Sequence, residues 1–109
     1  MPAQLLMTVD ASVRLTGLGL LAVPRNEQSV LRQFVLHTKL LVTLTFPDGQ
    51  QETMPASVEE MSRQVEAETG PTYRDIYVLL LESELIDDVP VGTEITWVGD
   101  VDDPFALLR

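Results

Sequence analysis

Residues 35–46 read VLHTKLLVTLTF, and their alternation constrains the fold more than any other feature of the chain. Leu40, Val42, Leu44 and Phe46 fall on one side of an extended strand, and Leu41, Thr43 and Thr45 on the other, because successive strand side chains point to opposite faces. A helix would scatter the same residues around its surface. The next four residues, PDGQ, supply a turn: Pro47 presets φ and Gly49 is free to take a positive value. The stretch QETMPASVEEMS is then expected to return antiparallel to the first strand. Pro55 marks it as an edge strand or a bulge, because proline cannot donate to a ladder.

The same period recurs elsewhere. In VRLT, Val13 and Leu15 share one face and Arg14 and Thr16 the other. Gly17 and Gly19 break or bend this section before LLAVP carries it to Pro24. DIYVLLLES, residues 75–83, reads as a buried strand, and the unbroken Leu79-Leu80-Leu81 fits a strand covered on both sides or a barrel corner. GTEITWV, residues 92–98, alternates again, with Ile95 and Trp97 opposite Thr96 and Val98. In the link DDVPVG, Val89 and Val91 are expected to cover a barrel end. The connections 25–34 and 59–73 are polar and read as loops or short helical turns; the first has Val30 and Leu31 as apolar anchors, the second contains Gly70-Pro71. The pattern predicts an all-β fold, a small antiparallel β-barrel of six to seven strands. A single domain is expected over 1–109, with 99–109 a tail whose Phe105, Leu107 and Leu108 pack back onto the body.

Composition narrows the chemistry. With 109 residues and 45% apolar content the chain can build one core unaided. It has no cysteine, so disulfides and thiolate ligands or nucleophiles are out. MPAQLLMTVD lacks the basic and apolar regions of a secretory signal, and the apolar runs fall far short of the roughly 20 residues of a membrane span. A cytoplasmic location is expected. Charge is uneven. Residues 1–46 carry four basic and two acidic side chains, net +2, whereas 47–104 carry fifteen acids against Arg63 and Arg74, net −13. Such a surface repels phosphate backbones, so nucleic acid is not an expected partner. It favours a protein partner with a basic surface, although acidity also serves solubility alone.

No constellation commits the chain to catalysis. GLGLLA, residues 17–22, has the letters of a dinucleotide-binding turn, but LLAVP continues as a strand instead of opening the helix that holds a pyrophosphate. His37 is the only histidine, and without cysteine a zinc site would need it plus carboxylates. The reading of VLHTK as strand places it on the Leu41 side. Ser12, Ser29, Ser57, Ser62 and Ser83 lie in no nucleophile-elbow context. The acid groups are Glu59-Glu60, Glu82/Glu84, Asp87-Asp88 and Asp100/Asp102/Asp103. Six aromatics are few for a sugar-binding groove, and DVDD lacks the glycine and distal glutamate of a calcium loop. No catalytic residue, cofactor or metal site is expected.

Three stretches then bear comparison with a known architecture: MTVDASVRLTGLGLLAV (7–23), with Val9-Asp10 and Gly17-Leu18-Gly19 in order; VTLTFPDGQQETMPASVEEMSRQ (42–64); and YVLLLESELIDDVPVGTEITWV (77–98). Over residues 5–98 the chain resembles the second-domain β-barrel of elongation factor Tu and related translation GTPases. The resemblance implies a barrel and transfers no functional residue. It departs from the family in carrying no nucleotide-binding domain in this stretch, in Leu18 where a basic residue is common, and in its acidity. The expectation is a non-enzymatic acidic module that binds a protein partner in an inhibitor, immunity-type or adaptor role, through Glu82, Glu84, Asp87, Asp88, Asp100, Asp102 and Asp103. The alternatives are an oligomerising barrel, or an enzyme that uses carboxylates or a cation.

Overall fold

The computed structural model describes residues 4–25, 29–82 and 88–100. Six strands make up the sheet: β1 (Gln4–Leu15), β2 (Gly19–Pro24), β3 (Lys39–Thr45), β4 (Gln51–Ala67), β5 (Gly70–Leu81) and β6 (Glu94–Asp100). They close into a barrel in the order β1-β2-β5-β4-β3-β6, every neighbour antiparallel. The expectation of an all-β antiparallel barrel of six to seven strands holds, with six strands among the described residues.

The alternation read from the sequence is what fills the barrel. Leu40, Val42 and Leu44 of β3 are buried, as are Leu20 and Ala22, Ala56 and Val58, Leu79 and Leu81, and Ile95. They form one cluster with Leu6, Met7 and Val9. Burying each Leu, Ile or Val side chain is worth about 1.5–3 kcal/mol, which is why the period-two segments fix the register. The turn at 47–50 forms as its chemistry requires: Gly49 has φ 90°, and its N–H donates to the Phe46 carbonyl at 2.8 Å.

The ring order explains the two long connections. β2 and β3 stand three places apart in a ring of six, and so do β5 and β6. Each link must therefore cross the barrel's diameter, and strand direction puts the crossings at opposite ends. The first carries a 3-10 turn, Ser29–Gln33, as the helical-turn reading of 25–34 anticipated; its Leu31 is fully buried in the main core. The second carries Val89, 2% exposed, whereas Val91 is 59% exposed and covers nothing.

Four expectations need correction. Residues 59–73 are neither loop nor helical turn: they continue β4 and β5 as an antiparallel hairpin with rungs from Ala56↔Leu81 to Ala67↔Gly70. Gly70-Pro71 does not break it. Val58 directs its N–H and C=O toward Thr38 and His37, so Glu66, in the same phase, and its partner Pro71 also point theirs away from the hairpin seam. No ladder bond is lost at the proline. Pro55 sits inside β4, between β3 and β5, not on an edge strand. Its carbonyl accepts from Glu82 N–H at 3.0 Å, where β5 has just ended, so its missing donor again costs no rung. Gly99 and Asp100 belong to β6, opposite Leu41 and Leu40, rather than to a tail; the residues proposed to pack back, Phe105, Leu107 and Leu108, lie outside the described residues.

The fourth is His37, which is not on a strand. It occupies a turn with φ 74°, and its Nδ1 lies 2.7 Å from Glu59 Oε1. Left-handed backbone costs a side-chain-bearing residue about 1–2 kcal/mol, and glycine almost nothing. His37→Gly should therefore retain more stability than His37→Ala, by about 1 kcal/mol in urea denaturation. The reverse ranking would show that the left-handed backbone at position 37 is not the constraint.

Candidate functional site

The acids singled out in the sequence do not gather into one face among the described residues. Glu82 ends β5 and pairs with Lys39 Nζ at 2.6 Å. Asp88 is exposed and accepts from Ser12 Oγ at 2.6 Å; the same hydroxyl lies 3.3 Å from the Val89 carbonyl, which ties the crossing link to β1. Asp100 closes β6 with its backbone opposite Leu40. Glu84, Asp87, Asp102 and Asp103 lie outside the described residues. Among the described residues no group of three His, Asp or Glu is arranged to hold a metal ion.

One constellation has the residue types of a hydrolase triad in the wrong order. Ser57 Oγ donates to Glu59 Oε2 at 2.7 Å, and His37 Nδ1 approaches Glu59 Oε1. In a nucleophilic triad the imidazole stands between hydroxyl and carboxylate and takes the hydroxyl proton. Here the carboxylate stands between the other two, so the arrangement clamps the 35–38 turn to β4 and activates nothing.

The feature that sequence reasoning missed is the β4–β5 arm. β3 follows β4 only to Ser57, and β2 follows β5 only over Leu79–Leu81. Beyond these rungs the two strands run on as a two-stranded ribbon, which gives the molecule its 51 × 27 × 26 Å extents. The tip is the two-residue loop Glu68-Thr69, followed by Gly70 at φ 113°.

Alternation sorts the arm into two unlike faces. One carries Met61, Arg63 and Val65 opposite Ile76, Arg74 and Thr72. Near the barrel it continues into a small outer cluster, Val23, Ile76 and Val78 with Leu21 and Met61. Farther out it bounds a groove of about 390 Å³ with Pro24 and Arg25 on the other side. Arg63 and Arg74 are directly opposite in the ladder, and Arg63 lies 3.8 Å from Asp10 of β1.

The second face carries Glu60, Ser62, Gln64 and Glu66 opposite Tyr77, Asp75, Tyr73 and Pro71. Ser62 donates to Asp75 at 2.8 Å. Arg32, from the 3-10 turn, stacks 4.8 Å above the Tyr77 ring and donates to the Asp75 carbonyl at 3.0 Å. Tyr73 stands 73% exposed. The signal for all this was present: Met61, Arg63 and Val65 alternate with Ser62, Gln64 and Glu66. It is faint because neither face is continuously apolar.

The fold and the arm define a class: a closed six-stranded antiparallel barrel with a projecting β-ribbon. Among the described residues no helix is long and apolar enough to cross a membrane. Comparison with family models, with curated proteins and with solved structures found no match to this chain.

Proposed function

We propose that this chain is a non-enzymatic binding module that meets a protein partner with a basic surface through the acidic face of its β4–β5 arm. One observation carries the reading: the arm sorts its charge. Glu60, Glu66 and Asp75 sit on one face, while the two basic residues, Arg63 and Arg74, sit on the other, which carries only Glu59 among the acids, nearer the barrel opposite Val78; Glu68 lies in the turn. The acidic face also offers Tyr73, a large side chain with few rotatable bonds, the type that anchors interfaces. The strand edges of the arm can lengthen a partner's sheet by backbone pairing.

This moves the contact from the 82–103 region, where the described acids Glu82 and Asp88 already engage Lys39 and Ser12, to an acidic surface in the same half of the chain. The inhibitor, immunity-type or adaptor roles, a cytoplasmic location and the likeness to the elongation factor Tu second-domain barrel belong to the same proposal, the last supported by the closed antiparallel barrel.

A photo-cross-linking amino acid at position 73, with one at the exposed barrel position Glu52 as control, tests it in the source cell. The expected result is a discrete adduct from position 73 alone that fades as salt is raised in a lysate, since exposed charges are screened beyond about 8–10 Å. Equal adducts from both positions, or none, would refute the reading. An adduct of twice the chain's mass would replace the partner by a second copy.

A further inference from the structure

We infer that the outer edge of β4, from Glu60 to Glu66, pairs with an extended partner segment that carries a basic residue at each end. The inference rests on the proposal that the arm meets a basic partner, and it names the edge and the kind of segment. β3 leaves β4 at Ser57. One residue on, the Val58 N–H donates to the Thr38 carbonyl and the Val58 carbonyl accepts from His37. The hairpin register then runs without a shift to Ala67. Alternation therefore turns the N–H and C=O of Glu60, Ser62, Gln64 and Glu66 away from β5. Among the described residues none of these groups has a backbone partner.

The arm's other edge is not equivalent. On β5 the outward groups belong, by the same phase, to Pro71, Tyr73, Asp75 and Tyr77. Pro71 has no N–H to offer, and the Asp75 carbonyl already accepts from Arg32 of the 3-10 turn at 3.0 Å. Prolines and overlying connections are how sheets close an edge to added strands. Between Val58 and Ala67, β4 carries no proline, no lysine and no bulge. One edge is thus interrupted and the other continuous, which is what strand addition requires.

The side chains beside that edge define the occupant. An added strand would meet Glu60, Ser62, Gln64 and Glu66 on one face and Met61, Arg63 and Val65 on the other. The first four are exposed, and neither Glu60 nor Glu66 forms an ion pair among the described residues. Opposite charges and apolar pairs directly across a ladder stabilise it, and like charges oppose it. The matching segment has lysine or arginine opposite both glutamates, β-branched residues opposite Met61 and Val65, and an acid opposite Arg63. A second copy of this chain fails that requirement. Two β4 edges paired antiparallel about Arg63 would set Glu60 against Glu66 and Arg63 against Arg63. The sequence Lys-Val-Thr-Glu-Thr-Val-Lys meets it, running antiparallel from Glu66 to Glu60.

The experiment titrates the ¹⁵N-labelled full chain with that peptide, acetylated and amidated, and follows amide shifts. Saturating downfield shifts should centre on Glu60, Ser62, Gln64 and Glu66, whose N–H groups gain acceptors, and leave Tyr73 and Tyr77 nearly unmoved. The charge-reversed peptide Glu-Val-Thr-Lys-Thr-Val-Glu should bind about tenfold more weakly or worse. N-methylation of both threonines, opposite Ser62 and Gln64, removes donors from the new ladder and should abolish the shifts. N-methylation of both valines, whose amides point away, should not. Gln64→Pro removes only an outward N–H, so it should keep the hairpin's spectrum and block the peptide; the methylated peptides test the same pairing without altering the chain. Shifts centred on Tyr73, Asp75 and Tyr77, or a threonine-methylated peptide that binds as the parent does, would overturn edge pairing and leave the acidic-face reading standing, since charge alone would then hold the peptide. Binding indifferent to charge reversal would overturn both. No shift at the edge amides overturns the edge site, and the cross-link from position 73 decides the face independently. Concentration-dependent shifts of these amides without peptide would overturn the assigned occupant in favour of a second copy.

Discussion

Gly19→Ala is expected to remove about 3 kcal/mol or more of stability, enough to leave a domain of ordinary stability partly unfolded at 37 °C. A Cβ built on Gly19 would lie 2.2 Å from the backbone carbonyl oxygen of Leu81 and 3.2 Å from its carbon. Neither atom can retreat cheaply. Leu81 is fully buried and paired on both sides, with Leu20 of β2 and Ala56 of β4. The residue's own backbone, at φ 134°, adds strain that no side-chain-bearing residue avoids. Gly17 is the matched control: its φ is 82°, but nothing lies within 4 Å of its built Cβ, so Gly17→Ala should cost only the left-handed strain, about 1–2 kcal/mol. Urea denaturation of both variants reads the difference. Equal losses would show that the β2–β5 approach at Leu81 is not the constraint.

The same pair of glycines shows how far the sequence speaks. Gly-Leu-Gly announces a bend between two alternating stretches, and the bend is the β1–β2 hairpin, with Leu18 64% exposed at its tip. That Gly19 must be glycine because β5 passes beside it is invisible locally, since Leu81 lies 62 residues away. Barrel strands are legible because one face is buried: Leu40, Val42 and Leu44 announce β3 whatever surrounds them. The arm is illegible for the converse reason. Both its faces carry charge, so nothing marks residues 59–73 as strand except alternation among polar side chains, and Gly70-Pro71 argues the other way until the phase of the ladder is known.

Charge behaves similarly. Counting finds the excess of acid after residue 46 but not which side of a strand it occupies. Arg63 and Arg74 become neighbours only because the hairpin turns at Glu68-Thr69, and Arg25 joins them only through the closure of β2 against β5. Shifting the turn by one residue would break that opposition and undo the sorting of the arm's charge. The candidate sites are thus properties of register, which composition cannot carry.

Leu31→Ala is expected to cost about 2–5 kcal/mol, in the upper half of that range. The five-residue 3-10 turn that bears Leu31 has little stability of its own, since 3-10 hydrogen bonding is poor and such turns stay short. It is held where it is by what it buries. Leu31 is fully buried at the barrel mouth, and the wall around it is a closed ladder that cannot collapse inward to refill a cavity. Its neighbours share the role: Phe34 meets Trp97 edge to face, with ring centroids 5.4 Å apart and planes at 83°, and Trp97 Nε1 donates to the Gly99 carbonyl at 2.9 Å. Because Trp97 is the only tryptophan, its emission reports on this mouth directly. The variant should lower the urea midpoint at unchanged slope and shift native-state emission to the red as water reaches the indole. Val35→Ala, four residues on but 79% exposed, should change stability by no more than about 0.5 kcal/mol and leave the emission where it was. If Leu31→Ala behaved like Val35→Ala, the crossing link would only drape over the barrel, and the contacts of Arg32 with Tyr77 and Asp75 at the arm's base would lose their support.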